Sequence, residues 1–596
     1  MPNDDLPPSR RGGDPYRPVG GRSGGRPPAH GKAKSEKRPL VGSSTSSAAT
    51  NQRRLTGSPT SGRTPMTASK APQSRRAPVS SRRYLARRIG VVSAALAMLL
   101  LVVGVGYYFY LGFLVNHTQV NGLQAAGSAE NILLVGSTDR CALKVQHAEY
   151  GLCSQGVNGV NSDITMIVHL EPATGKVSLL SLPRDVFIPN ARREGANKID
   201  AALYQGPSQL VRAIEEDFGI PINHFVELNF ETFAKVVDAL GGISMWFPRP
   251  IFDQESGLNI HHMGCFHLDG FHALQVVRSR HLQIQPIGGS SVHSTWPQEN
   301  QSDLARIRRT HEFLRVMGAT VAAKGISDPA TDLSLAQAVV PNLTVDQGFS
   351  ENHMIDLATT FAGVSIGAAP QLTYPVIVDL TGGYHYKGGN YGDVVLPIQP
   401  GGSMTINQVL GINARQSTWT GETLPLPAAI KVSVANGSGT SGQAGTVATA
   451  LRSRGFRVTG TSNRTPTGPL AETVVYYGGP PPPKSGNWSS ASLDAAERVM
   501  AQLAGPVVLG YNPSEVDPGA TVTVQTGADL TIAPVVKVVK HHHTTTTTRH
   551  HVVTVTTVPD PEAVAKDNRL SAPSATAQPL APWDPTACNR AGTGPK

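Results

Sequence analysis

Residues Ile89–Val115, IGVVSAALAMLLLVVGVGYYFYLGFLV, form an apolar stretch of 27 residues without a charge. A helix needs only about 20 apolar residues to cross a bilayer. Arg82, Arg83, Arg87 and Arg88 stand directly before it, and such positive charge marks the cytoplasmic side of a membrane span. The stretch predicts a single-pass membrane protein with a cytoplasmic N-terminus and extracellular C-terminal domains.

The segment before this helix is strongly basic. Residues 1–88 hold 19 Lys and Arg against 4 Asp and Glu, so the net charge of +10 belongs mainly to this tail. Its Gly, Pro and Ser content and its few large apolar residues predict disorder. Only Tyr16 and Tyr84 could stack on bases, so we expect no nucleic-acid partner; anionic lipids or cytoplasmic partners suit the tail better.

Beyond the predicted membrane helix, apolar runs alternate between strand and helix patterns, which predicts an α/β fold. The first unit contains the predicted strands Asn131–Gly136, Asp163–Leu170, Lys176–Leu182, His224–Leu228 and Ile243–Phe247 and the predicted helices Pro207–Phe218 and Phe230–Leu240. A smaller unit contains the predicted strands Ile430–Ala435, Thr473–Tyr477 and Val507–Leu509 and the predicted helices Val447–Arg454 and Ala491–Leu503.

These patterns divide the chain into a catalytic domain at 116–340, a bridging region at 341–424 and a C-terminal domain at 425–526. A low-complexity tail, including the His/Thr tract at 541–551, occupies 527–596. The glycine-rich NGSGTSGQAG of the C-terminal domain lacks the GK[ST] of a phosphate-binding P-loop. We interpret it as a tight turn.

The four cysteines suit an oxidising compartment. Cys141 and Cys153 could close a short loop as a disulfide. Cys265 and Cys588 are expected to be unpaired rather than bonded to each other, because Cys588 lies in a Pro/Ala-rich tail. No cysteine spacing indicates a structural zinc site.

Cationic residues are scattered through the first unit. Arg184 and Asp185 follow the apolar run KVSLLSL, and Arg306 falls in the first turn of a predicted helix, where the helix dipole disfavours a cation. A bound anion would explain such an arginine, and helix N–H groups and guanidinium groups both suit phosphate. Further candidates are Lys198, Arg278, Arg280 and Arg309.

Two acidic residues lie at the ends of neighbouring predicted strands, Asp139 after the first and Asp163 at the start of the second. Salt bridges to the arginines would account for them. If they converge on a phosphate instead, Mg²⁺ (or Mn²⁺) bridging carboxylate and phosphate oxygens would balance the charge.

The ordered motifs NILLVGSTDR, NSDITMIVHL, VSLLSLPRD, NKIDAALYQGP, LDGFHALQVVRSR and SDLARIRRTHEFL resemble the LytR-CpsA-Psr family. Residues 429–526 are similar to the LytR C-terminal domain that often follows it. The resemblance implies an α-β-α sheet domain with a smaller α/β domain behind it. It also implies an Mg²⁺-dependent phosphotransferase that moves a glycopolymer from a polyprenyl-pyrophosphate carrier to peptidoglycan at the C6 hydroxyl of N-acetylmuramic acid.

Carried over by motif, the resemblance assigns roles to single residues. The implied catalytic residues are Arg184, Asp185, Asp139 and Arg278. Substrate binding is implied for Arg184, Lys198, Arg278, Arg280, Arg306 and Arg309, and metal binding for Asp139 and Asp163. Many relatives carry glutamine after the last arginine pair, whereas Thr310 and His311 stand here, so neither is placed in the site.

Two other functions remain open at this point. A membrane-tethered scaffold could hold polyprenyl phosphates or wall-assembly partners without chemistry. Regulation of transcription is disfavoured, because the predicted cytoplasmic tail carries no DNA-binding motif. The sequence does not name the polymer, although the two-domain layout looks actinobacterial and favours arabinogalactan or a similar wall polysaccharide.

Overall fold

The structure is a computed structural model that describes residues 98, 115–141, 152–155, 159–300, 302–324, 343–361, 364, 369–379, 383–464, 470–480, 491–534, 579–589 and 594–595. The predicted basic tail, the His/Thr tract and nearly all of the predicted membrane helix lie outside these residues. Among the helices that are described, none combines the length and apolar character that crossing a bilayer requires.

The strands alternate with helices, as the apolar pattern predicts. They are β1 Asn116–Thr118, β2 Glu130–Ser137, β3 Ser162–Glu171, β4 Lys176–Leu182, β5 Phe187–Arg192, β6 Gly195–Lys198, β7 His224–Leu228, β8 Ile243–Phe247, β9 Ile251–Asp253, β10 Leu258–Ile260, β11 Gly264–Leu268, β12 Gln283–Ile284, β13 Thr344–Asp346, β14 Gln371–Thr373, β15 Val376–Asp379, β16 His385–Tyr386, β17 Gly389–Asn390, β18 Val394–Gln399, β19 Lys431–Asn436, β20 Arg457–Asn463, β21 Thr473–Tyr477, β22 Leu503–Tyr511, β23 Val522–Thr526, β24 Thr531–Ile532 and β25 Thr586–Ala587.

The α-helices are α1 Pro207–Phe218, α2 Phe230–Ala239, α3 Gly270–Arg278, α4 Ser302–Lys324, α5 Glu351–Thr360, α6 Gly401–Val409, α7 Gln443–Ser453 and α8 Ala491–Met500. Local chemistry explains several ends. Pro207 opens α1, and Gly219 ends it with a φ of 70°, a conformation that glycine adopts without strain. The side chain of Asn229 caps α2 by accepting a hydrogen bond from the Thr232 N–H at 2.9 Å.

A mixed seven-stranded sheet in the order β1-β13-β7-β2-β3-β4-β14 forms the centre of the first domain. Strands β2, β4 and β7 run in the same direction, so their carboxyl ends share one edge. Apolar residues cover both faces: α1 packs in the cluster on one face, and α5 packs in the cluster on the other. This agrees with the predicted α/β class.

The C-terminal domain is built on a second sheet, whose main path is β15-β18-β22-β21-β23-β19-β20. The glycine-rich stretch is a turn between β19 and α7, with Gly439 at φ 75° and Gly442 at φ 78°, which confirms the turn interpretation. The predicted bridging region contributes β13 and β14 to the first sheet and β15 and β18 to the second. Short, separated strands of this kind carry little periodicity, which is why no clear pattern could be recognised in this part of the sequence.

The cysteine prediction is half correct. Cys141 and Cys153 form the predicted disulfide, with their Cα atoms 5.2 Å apart. The expectation for Cys265 and Cys588 is wrong, because these residues also form a disulfide, with Cα atoms 5.8 Å apart. The reason is that the end of the C-terminal tail folds back: β25 pairs antiparallel with β8, next to β11, which carries Cys265.

Candidate active site

The candidate site begins with Arg184, which lies just after β4 and is surrounded by carboxylates. Its guanidinium contacts Asp163 and lies 2.9 Å from Oδ2 of Asp200 and 3.8 Å from Oδ1 of Asp185. Its backbone N–H donates to Oδ2 of Asp303 at 3.2 Å. Burial alone lowers the pKa of Arg184, but these four carboxylates outweigh it and raise the pKa above its ordinary value. Arg184 is therefore a permanent cation held in one orientation.

Asp185 joins two further cations to the same place. Its Oδ1 lies 3.1 Å from Nζ of Lys198, at the end of β6, and its Oδ2 lies 2.9 Å from Nη2 of Arg280, which follows α3. Asp185 is buried, and a buried carboxylate between cations fixes their side chains. The structure thus brings together Asp185, Lys198 and Arg280, three predicted site residues that are up to 95 positions apart in the sequence.

Arg306 is the fifth residue of α4, just after the first turn in which it was predicted to lie, and its anionic partner is part of the helix. Nε and Nη2 of Arg306 donate to Oδ1 of Asp303 at 3.0 and 2.7 Å. Burial raises the pKa of Asp303, but Arg306, Arg280 and Arg184 outweigh it and hold the pKa below its ordinary value. The helix dipole disfavours the positive charge of Arg306, and the carboxylate of Asp303 at the start of the helix thus offsets that charge.

A cavity of about 470 Å³, here called the arginine cavity, opens beside these residues. Four arginines line it, three of them predicted. Its lining comprises Thr138, Arg140, Gly159, Asn161, Asp163, Arg184, Glu255, Ser256, Arg278, Arg280 and His281. Guanidinium groups from the ends of β2, β4 and α3 converging on one polar cavity suit a ligand with several phosphate oxygens.

Arg309 lies elsewhere. Its side chain is fully buried, contacts Glu299 and donates from Nη2 to the Ser279 carbonyl at 2.7 Å. Its Nη1 also lies 3.5 Å from Oδ1 of Asp584 in the C-terminal segment. The structure therefore places this predicted substrate-binding residue in an ion-pair network at the C-terminal segment, and does not place it on the lining of the arginine cavity.

Comparison with known families identifies the two domains. Residues 115–393 match the LytR_cpsA_psr family, and residues 429–530 match the family described as LytR cell envelope-related transcriptional attenuator. Together these regions make up more than half of the chain. The chain belongs to the LytR-CpsA-Psr family. It carries a LytR C-terminal domain behind the family domain, as the motifs predicted.

Curated relatives of this LytR-CpsA-Psr protein have names from cell-wall assembly. One is the probable cell wall biosynthesis protein LcpB of Corynebacterium glutamicum, which is 32% identical over 40% of this chain and 54% of the relative. Another is the polyisoprenyl-teichoic acid–peptidoglycan teichoic acid transferase TagU of Bacillus mycoides, which is 27% identical over 38% of this chain and 66% of the relative. The match thus spans between about half and two thirds of these relatives.

Among solved structures, the LytR-Csp2A-Psr enzyme from Actinomyces oris is 25% identical, covering 44% of this chain and 88% of that chain with a TM-score of 0.36.

In this LytR-CpsA-Psr protein an apolar cavity of about 90 Å³ adjoins the arginine cavity. Asp163 and Arg278 line both cavities. The carbon Cζ of Arg278 lies 4.5 Å from the ring centre of Phe230. This guanidinium therefore stacks on an aromatic ring at the boundary between the arginine cavity and the apolar cavity. The apolar part of the lining comes from β2, β3, β7, α2, α3 and α4, and includes Leu134, Ile164, Met166, Leu228, Phe233, Leu274, Val277, Phe313 and Leu314.

Two carboxylates were predicted to hold Mg²⁺. Asp163 lines the arginine cavity, and Oδ1 of Asp139 accepts a hydrogen bond from the Cys141 N–H at 3.0 Å, beside Thr138 and Arg140 of the cavity wall. Oxygen donors are the ligands that Mg²⁺ and Mn²⁺ prefer, and Mg²⁺ commonly binds through one or two carboxylates and substrate phosphates. No third acidic or histidine side chain among the described residues joins these two in a metal-binding group. Asp163 also contacts the guanidinium of Arg184, and metal binding by Asp139 and Asp163 stays a prediction.

Three residues for which the motifs predicted no site role also lie at the site. Arg140 lines the cavity, Asp200 pairs with Arg184, and Asp303 anchors Arg306. Signals existed for each: Arg140 follows Asp139, Asp200 is two residues from Lys198, and Asp303 stands at the predicted helix start. The pattern alone did not say which of these charges face one another.

Proposed function

We propose that this protein transfers a glycopolymer from a polyprenyl-pyrophosphate carrier to peptidoglycan. The names of its relatives support a role in cell-wall assembly, and TagU carries the transferase activity in its name. The observation that carries the proposal is the adjacency of two cavities, one lined by arginines and one apolar, which share Asp163 and Arg278. A lipid pyrophosphate has this same division between charge and hydrocarbon.

In the proposed reaction the C6 hydroxyl oxygen of N-acetylmuramic acid attacks the phosphorus that carries the glycan. A new phosphorus–oxygen bond forms, the bond to the bridging oxygen breaks, and polyprenyl monophosphate leaves. The hydroxyl proton is released to water. Phosphoryl transfer requires mainly positioning and charge stabilisation, which the fixed guanidinium groups of Arg184 and Arg280 are suited to provide.

We assign Arg184, Arg278 and Arg280 to the pyrophosphate, since they line the cavity. Asp185 and Lys198 act behind them: Asp185 orients Arg280, and Lys198 adds charge to that pair. Arg306 lines the apolar cavity near Arg278 and is assigned to the same phosphate end. Mg²⁺ or Mn²⁺, when bound by Asp139 and Asp163, would neutralise phosphate charge during the transfer.

The proposed location is the outer side of the cell membrane, anchored by the helix predicted at 89–115. All four cysteines form disulfides, and disulfides are typical of oxidising compartments. Reporter fusions test this placement. Alkaline phosphatase fused after residue 300 should be active, and a cytoplasmic fluorescent reporter fused there should be dark; the reverse pattern would contradict the topology.

The reaction is tested by incubating the full-length protein in detergent with a lipid-pyrophosphate oligosaccharide, a peptidoglycan acceptor and Mg²⁺. Polyprenyl monophosphate and linked glycan should appear in equal amounts by mass spectrometry. Arg184→Ala should reduce the rate by at least about 100-fold, whereas Arg193→Ala, at an exposed arginine, should leave it unchanged. Tight lipid binding without turnover would instead indicate the scaffold function. Supplying arabinogalactan-type and teichoic-type donors separately identifies the polymer.

A further inference from the structure

A second cluster of ionisable side chains, called here the histidine cluster, consists of Glu130, His224 and His353. Glu130 opens β2, His224 opens β7 and His353 lies in the first turn of α5. Because β2 and β7 are parallel, their amino ends share one edge. This edge is opposite to the arginine cavity, about 25 Å away for a strand of this length at ~3.3 Å per residue.

The ligand atoms of the histidine cluster are close together. Nε2 of His353 lies 2.8 Å from Oε2 of Glu130, and Nε2 of His224 lies 4.0 Å from the same oxygen. All three atoms lie within 4.8 Å of one another. Ligands on tetrahedral Zn²⁺ at ~2.0–2.1 Å are roughly 3.3 Å apart. Small side-chain rotations would therefore bring the three atoms to metal-binding positions.

The far side of His224 is held by a buried carboxylate. Nδ1 of His224 lies 3.1 Å from Oδ2 of Asp346, and the same oxygen accepts a hydrogen bond from the Phe225 N–H at 3.0 Å. Oδ1 of Asp346 accepts from the Gly348 N–H at 2.8 Å. Asp346 thus favours the His224 tautomer with the proton on Nδ1, leaving the Nε2 lone pair toward Glu130. Histidines that bind metals commonly have such a partner.

The surroundings leave room for a further ligand. The ring of His224 stacks on Phe349 with centroids 4.2 Å apart, which fixes the imidazole plane. Glu130 and His224 are buried, whereas the side chain of His353 is 33% exposed. His224 and His353 line a cavity of about 750 Å³. Three protein ligands beside an open cavity leave a fourth position for water.

We propose that Glu130, His224 and His353 form a Zn²⁺ site, with Asp346 orienting His224. Two imidazoles and one carboxylate suit Zn²⁺, whereas Mg²⁺ prefers oxygen donors alone. The site would join β2, β7 and α5, three elements that come from distant parts of the chain. Since it uses none of the residues assigned to phosphoryl transfer, it stands independently of the proposed function.

The test is Zn²⁺ binding by the metal-free full-length protein, measured by competition with a chromophoric chelator. Glu130→Gln and His353→Ala should each weaken this site by about 100-fold or more, and Asp346→Asn by about 10–100-fold. His272→Ala, at an exposed histidine outside the cluster, should have no effect. The tract at 541–551 is present in every variant, so its own binding contributes the same background.

Thermal unfolding gives a second measurement. Zn²⁺ should raise the unfolding midpoint of the unaltered protein and of His272→Ala, because a ligand of the native state stabilises it. The midpoint of His353→Ala should not respond to Zn²⁺. If unaltered protein and His353→Ala bind the same amount of Zn²⁺ with the same affinity, the cluster is a hydrogen-bonded group only and the proposal is wrong.

Discussion

Arg306 donates two hydrogen bonds to the carboxylate of Asp303, which precedes it by three residues in α4. Both side chains are buried, and Asp303 also lies 3.8 Å from Nε of Arg280. The pair illustrates how carboxylates hold several cationic side chains close together in this site without a bound phosphate. Arg184, Arg280 and Arg306 each have a carboxylate partner that fixes the position of the guanidinium, so less side-chain entropy is lost when the ligand binds.

We predict that Asp303→Asn lowers the free energy of unfolding by about 3 kcal/mol, since it leaves a buried arginine without its counter-charge. Asp269→Asn is the matched control: it neutralises an exposed carboxylate that caps a helix, and because Asn caps a helix about as well as Asp, it should cost only about 0.3 kcal/mol. Chemical denaturation near neutral pH measures both. Equal losses would contradict the role of Asp303 as the counter-charge of Arg306.

The same pair has a defined pH dependence. Because the pKa of Asp303 is lower in the folded protein than its ordinary 3.8, the stabilisation is complete above about 3.8 and is lost as pH falls through the folded value. Unaltered protein and Asp303→Asn should therefore differ in stability near neutral pH and converge in strong acid. A difference that persists in strong acid would contradict the ion pair.

Asp200 should make phosphate binding pH-dependent. Burial raises its pKa to about 6, with Arg184 opposing that rise and Asp185 adding to it. Since the pKa is raised on folding, ionising Asp200 reduces stability as pH rises between 3.8 and about 6. Below about 6 Asp200 is neutral and no longer competes for the guanidinium of Arg184.

We therefore expect the affinity for a diphosphate diester to increase about fivefold between about pH 7 and pH 5. Such a ligand does not itself titrate in this range. Asp200→Asn should bind the diphosphate diester with the same affinity at both pH values, because the asparagine side chain is always neutral. Calorimetry at the two pH values measures this, and an unchanged pH dependence in Asp200→Asn would assign it to another group.

The apolar cavity should select the lipid. Leu228 is half-buried on its wall, and Leu228→Trp would fill part of the volume. We predict a roughly tenfold higher KM for an undecaprenyl-linked donor. The tryptophan would prevent one apolar group of the lipid from being buried, which costs about 1–3 kcal/mol of binding free energy. A donor with a geranyl chain should be affected less. A loss of kcat with unchanged KM for both donors would contradict lipid binding in this cavity.

The C-terminal segment 579–589 should stabilise the first domain. Asp584 is buried and contacts Arg308, and the Trp583 Nε1–H donates to Oε1 of Glu299 at 2.8 Å. Asp584→Asn should lower the free energy of unfolding by about 3 kcal/mol, because it leaves Glu299 as the single counter-charge of Arg308 and of the buried Arg309 among the described residues. Limited proteolysis should then cleave the chain at this segment, and the fragment should separate on a reducing gel because the Cys265–Cys588 disulfide otherwise retains it. The unaltered protein should resist cleavage.

Cys588→Ser removes the covalent link of the same segment to Cys265. We expect it to lower the unfolding midpoint by more than Cys141→Ser does, because the lost disulfide closes a loop of 323 residues rather than 12. Thermal unfolding of both variants without reductant makes the comparison. The same shift in both would argue that the C-terminal segment is not held against the first domain.

The local elements of the fold could be predicted from the sequence, because each depends on neighbouring residues. Strand β4, helix α1 and strand β7 have the predicted bounds, since apolar period, an opening proline and a closing glycine are all local signals. The family and its arginine motifs could also be recognised, and Arg184, Arg278 and Arg280 lie together as predicted.

Only the tertiary structure decided which charges face one another. Arg306 and Arg309 are one turn apart in α4, yet the first pairs with Asp303 and the second with Glu299. That difference depends on what packs against each side of the helix. Likewise, Cys265 and Cys588 form a disulfide although they are 323 positions apart in the sequence. Such contacts are made by the folded path of the chain, which brings distant segments together, and local patterns carry no record of them.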